Sequence, residues 1–76
     1  MDEPTTLDAR GLLCPLPVLR ARKALGALAA GECLRVLTDD PAALIDMPHF
    51  CAESGHLLLE HADAGDHQVF TLKKKG

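Results

Sequence analysis

Three cysteines and four histidines are the side chains of this 76-residue chain best suited to nucleophilic or metal chemistry. Cys14 stands apart because Pro15-Leu16-Pro17 follows it, and proline suits the first turn of a helix, where amides lack intrahelical acceptors. The spacing predicts a helix beginning at about Pro15, with Cys14 as its N-cap. A thiol there faces the positive helix end, which predicts an ionised sulfur with a pKa lowered into the range of roughly 3.5–7.5. Pro15 and Pro17 would stiffen the turn and direct the sulfur. Gly11 would turn the chain into it, and Arg10, folded back, would favour the anion further. Leu12, Leu13 and Leu16 supply an apolar surround suited to docking. The alternative is that Cys14 is a small apolar side chain that merely packs ahead of a helix.

The remaining candidates carry less. Cys33 on a strand and Cys51 on a helix are expected to be inert thiols. Three cysteines without a close-spaced pair point to a reducing compartment rather than a disulfide framework. His49, Cys51 and His56, with His61 and His67 beyond them, lack the paired spacing of a zinc site, and no metal or organic cofactor is expected. There is no phosphate-binding glycine motif. A lone cysteine without a histidine base in its segment argues against hydrolysis and toward chemistry in which sulfur is the cargo.

The elements that must position Cys14 follow from periodicity. Residues 5–9 alternate as a short strand, and Arg10-Gly11 turns it. Val18, Ala21, Leu25 and Leu28 recur at helical spacing opposite Arg20 and Lys23, with Gly31 as the expected stop. Residues 32–38 alternate Leu34 and Val36 with Cys33 and Arg35 as a half-buried strand. Asp40 caps and Pro41 opens a helical turn over 41–45. Pro48 predicts a break near Asp46, a second start there, and a helix over 47–54 ended by Gly55. Strands over 56–61, with Leu57 and Leu59 on one face, and over 68–73 flank a hairpin at Asp63-Ala64-Gly65-Asp66. The predicted class is α+β, a two-layer sandwich in the order β-α-β-α-β-β, with two helices on one face of a four-stranded mixed sheet.

Composition bounds the function. With 47% apolar and 25% charged residues the chain is globular, and its length allows one small domain. A net charge of −3 and the absence of Trp and Tyr argue against direct nucleic-acid binding. Neither a membrane span nor a secretory leader is evident in it, so a cytoplasmic location is expected. Residues 9–31 hold no acidic residue, and Arg20, Arg22 and Lys23 there are predicted to guide docking to an acidic partner. The Lys73-Lys74-Lys75 tail is expected to be solvated and to have no role.

The segment Leu7-Asp8-Ala9-Arg10-Gly11-Leu12-Leu13-Cys14-Pro15-Leu16-Pro17 resembles the Cys-Pro-x-Pro signature of the TusA/SirA family of sulfur carriers. Gly31-Glu32, Asp39-Asp40-Pro41, Asp46-Met47-Pro48, Phe50-Cys51 and Gly55-His56 extend the likeness over most of 5–74, read as one domain. Phe50 stands where the family sometimes has Trp, and Met47 where Ile is usual. The resemblance implies the same sandwich and a persulfide carried on Cys14. It also implies a donor such as a cysteine desulfurase or rhodanese, and an acceptor protein in tRNA thiolation, molybdenum-cofactor supply or sulfur oxidation. A monomer is expected, since a carrier shows its reactive end to successive partners. The rival is a non-catalytic regulatory or adaptor module. A ubiquitin-like carrier would need a terminal Gly-Gly, whereas this chain ends Lys75-Gly76.

Overall fold

The computed structural model describes residues 4–76; the acidic start, residues 1–3, lies outside them. Alternation of apolar and polar residues produces the central strand, β2 (Cys33–Thr38), in which Leu34, Val36 and Thr38 are buried. On one side it pairs in parallel with β1 (Thr5–Asp8), and on the other antiparallel with β4 (Gln68–Lys73). β3 (Leu57–Asp63) completes the sheet, in the order β1-β2-β4-β3. Leu34 lies opposite Leu72, and Val36 opposite Phe70. These side chains form the sheet's buried face, and the helices α1 (Leu16–Gly26) and α2 (Ala43–Ser54) cover it. The architecture is the expected two-layer α+β sandwich.

Helix α1 buries Pro17, Ala21 and Leu25, spaced four apart, with Val18 and Ala24, and Leu28 just beyond its end, against the core margin. It ends at Gly26, well before the expected stop at Gly31. The intervening residues bond elsewhere. The Ala29 amide donates to the Glu32 carboxylate at 2.6 Å and the Glu32 amide to the Ala29 carbonyl at 3.0 Å. Lys74 Nζ donates to the Leu28 carbonyl at 2.6 Å. Local turn bonds, together with one tertiary partner, Lys74, thus satisfy groups that would otherwise have prolonged the helix.

Helix α2 corrects the predicted break. It runs unbroken from Ala43 to Ser54 with Pro48 inside it. The proline ring removes one amide, the one that would reach the Leu44 carbonyl, and Leu44 is partly open to water. Against that single loss, Ala43, Met47, Phe50 and Cys51 recur at helical spacing and are all buried, so core burial outweighs the missing bond. Asp40 does support the entry, its Oδ1 accepting the Ala42 amide at 3.1 Å. Gly55, at φ +86°, closes the helix in the left-handed conformation.

In β3 the register slips between Leu58 and Glu60, so Leu59 is an extra residue. Leu58 points to the core margin, whereas Leu57 and Leu59 are exposed. The basic tail is also tied down, contrary to expectation. The Lys74 amide donates to the Glu32 carbonyl at 2.9 Å, and Lys75 Nζ to the Ser54 carbonyl at the end of α2 at 2.8 Å.

Candidate functional site

The parallel pairing of β1 and β2 sends the segments after both strands to the same edge of the sheet. Ala9 continues that pairing, its amide donating to the Leu37 carbonyl at 2.8 Å. Gly11 then turns the chain at φ +83°, which glycine adopts without steric cost. Its amide donates to Asp39 Oδ1 at 2.9 Å, and the Cys14 amide donates to Asp40 Oδ2 at 2.5 Å. Asp40 is buried, and its own amide reaches the Thr38 hydroxyl at 3.3 Å. Adjacent aspartates at the end of β2 therefore pin both ends of the cysteine loop.

The loop leads into α1 with Pro15 at its N-cap position and Pro17 buried in its first turn. Cys14 lies one residue further from the helix than the sequence predicts. The Leu16 amide is already bonded to the Leu13 carbonyl at 2.8 Å, and prolines 15 and 17 have no amide hydrogen to offer. The sulfur is exposed, and its hydrogen-bond partner is a carboxylate: Sγ lies 2.9 Å from Oδ2 of Asp46 on α2.

This arrangement overturns the expected thiolate. The hydrogen bond to Asp46 pushes the Cys14 thiol above its ordinary value, with partial desolvation and the charges of Asp46 and Asp40 acting in the same direction. A helix end carries only about half an elementary charge, whereas Asp46 places a full negative charge at hydrogen-bonding distance. Arg10 does not compensate. Its Nε and Nη2 both bind Asp8, each at 2.9 Å, which lowers the Asp8 carboxyl to about 2 and raises the Arg10 guanidinium.

Next to Cys14 in the chain, Leu13 is 70% exposed, and Leu16 and Leu19 in the first turns of α1 are exposed as well. A cleft of about 230 Å³ runs from Cys14 between the helices, lined by Val18, Arg22, Asp46, His49 and Phe50 among others. Of the three basic residues expected to guide docking, Arg22 alone lines this cleft, its guanidinium lying 5.6 Å from the centre of the Phe50 ring. Arg20 and Lys23 are exposed on α1 outside it. Cys33 is half-buried on β2, and Cys51 is buried, its thiol pushed up by that burial.

Sequence reasoning missed Asp46, Asp39 and the second role of Asp40. The available signal was topological: parallel β1 and β2 must bring the cysteine loop beside the Asp39-Asp40 turn and the start of α2.

The small α+β sandwich that presents this thiol at its edge is a fold represented among solved structures. A SirA-like protein from Desulfitobacterium hafniense superposes with a TM-score of 0.81 at 30% identity, covering 95% of this chain and 99% of that one. The family model described as Sulfurtransferase TusA matches residues 5–74, and the chain belongs to the TusA family. It is 43% identical to the sulfur carrier protein TusA of Allochromatium vinosum over 90% of each chain. It is 48% identical to a putative sulfur carrier protein of Neisseria meningitidis over 88% of each. A putative sulfur carrier protein of Bacillus subtilis is 39% identical, over 97% of this chain and 99% of its own.

Proposed function

We propose that this protein is a sulfur carrier in which Cys14 accepts a sulfane sulfur as a persulfide and relays it to an acceptor protein. The reading is carried by the one exposed cysteine among the described residues, which lies at the position of the family signature and is framed by exposed leucines. Exposure matters because the sulfur must meet two protein partners in turn, and a buried thiol such as Cys51 cannot do so. The donor is proposed to be a cysteine desulfurase or rhodanese, and the acceptor a thiol of a downstream protein. Leu13, Leu16 and Leu19 would cover the approach to the sulfur, and Arg22 would add a salt-dependent charge contact at the cleft.

The transfer is thiol–disulfide exchange with a persulfide as the electrophile, so it needs no change in net oxidation state. The test is sulfur labelling. Incubated with a cysteine desulfurase and radiolabelled cysteine sulfur, the protein is expected to take up reductant-labile label that Cys14→Ala abolishes. Equal label in the variant would exclude the proposal.

A further inference from the structure

We propose that Asp46 is a latch on Cys14, its carboxylate holding the empty carrier's sulfur as a hydrogen-bonded thiol until sulfur is delivered. The inference rests on the reading of Cys14 as the receiving atom and adds a state-dependent partner for it.

The geometry carries the argument. Sγ and Asp46 Oδ2 are 2.9 Å apart and come from segments 32 residues apart in the chain, so the contact is made by the fold. A carboxylate only accepts, and the sulfur must therefore carry the proton that joins them. Ionising Cys14 would break this bond and set two negative charges at the same separation. Among the described residues no cation is paired with that charge within bonding distance. Among the described residues the ion pairs are Arg10 with Asp8, His49 with Glu53, and His67 with Asp66. The charged and titratable groups that face the sulfur are Asp46 and Asp40, with Arg22, His49 and Glu53 on the cleft walls. Of these, Arg22 lies over Phe50 and His49 is 3.3 Å from Glu53. The carboxylates dominate, and the raised pKa of the thiol agrees with that.

Loading releases the latch by its own chemistry. With a donor R-S-S-H, a bond forms between Cys14 Sγ and the donor's outer sulfur while the donor's S–S bond breaks. The Sγ proton ends on the departing donor thiolate, giving Cys14-S-S-H and R-S-H without net oxidation or reduction. The inner sulfur then has no proton to donate to Asp46. The contact thus exists only in the empty carrier, where it keeps an exposed cysteine out of the thiolate form that oxidants attack.

The experiment measures iodoacetamide alkylation of Cys14 in the full chain as a function of pH, read by peptide mass spectrometry so that Cys33 and Cys51 are scored separately. Asp46→Asn keeps the shape and removes the charge. Its profile is expected to move to lower pH, with faster alkylation at pH 7. Each tenfold rise in the thiolate fraction should give a gain of about threefold, because every thiolate is at the same time less nucleophilic. Asp46→Ala should move the same way, and Asp46→Glu should stay slow. A folded Asp46→Asn or Asp46→Ala protein that alkylates no faster than the parent, on an unmoved profile, would overturn the latch. The readout requires no sulfur loading. A parent protein whose Asp46 variants alkylate faster, yet which never accepts labelled sulfur, would refute the carrier reading and leave the latch standing.

Discussion

Cys14 and Arg10 illustrate how local sequence can misjudge electrostatics. Both lie in one short segment, and a helix end together with a nearby guanidinium would ordinarily favour a thiolate. Arg10 instead closes on Asp8, two residues back, in a two-point ion pair. The sulfur is left to Asp46. Arg10→Ala is therefore expected to leave the pH profile of Cys14 alkylation unchanged, because the guanidinium is committed to Asp8. Movement of that profile toward higher pH in Arg10→Ala would show that the arginine does favour the anion. The Cys-Pro-x-Pro run made legible that Cys14 lies close to the start of α1, though the helix is capped at Pro15 rather than at the cysteine. The protonation of Cys14 was not legible, since the residue that sets it belongs to another element.

The helices show where pattern outranks punctuation. Pro48 interrupts the α2 ladder at one bond, yet four buried side chains on one stripe hold the helix continuous. Gly31 looks like a helix terminator, but α1 stops five residues earlier, once Glu32 and Lys74 claim the following groups. The lysine tail acts in the same way on α2, where Lys75 Nζ binds the Ser54 carbonyl at 2.8 Å. A cation at a helix C-terminus contributes about 0.3–1 kcal/mol. Lys75→Ala should lower stability by about that amount in urea unfolding, with less effect at high salt. A loss that high salt does not diminish would point to packing of the lysine stem instead.

The fold as a whole couples its last residues to its first layer, and one histidine reports on that coupling. His56 Nδ1 accepts the Lys75 amide at 3.1 Å, and its ring lies 5.8 Å from the Phe50 ring. Burial, followed by the charges of Lys75 and Lys74, holds the imidazole below its ordinary value of 6.5. The unfolded chain therefore binds this proton at a higher pH than the native one does. Stability is complete above about pH 6.5 and declines as pH falls toward the native value. Thermal unfolding followed from pH 8 to pH 5 should show that decline, and His56→Gln should flatten it. An unchanged slope in the variant would assign the pH dependence to other groups.

Much of this architecture is written in the order of residues. Alternation over Leu34 and Val36 and over Phe70 and Leu72 specifies strands, since period two is the only spacing that puts those side chains on one sheet face. The stripe from Val18 to Leu25 specifies α1, and Cys14-Pro15 marks its entrance. These signals are local, and each element answers mainly to its own neighbours in sequence. Three-dimensional assembly decided the rest: where α1 stops, that α2 continues past Pro48, and that Asp39, Asp40 and Asp46 converge on the cysteine loop. Those outcomes depend on distances across space. A parallel strand pair sets them by bringing residues about thirty positions apart to one edge, where a single carboxylate outweighs the helix end beside the sulfur.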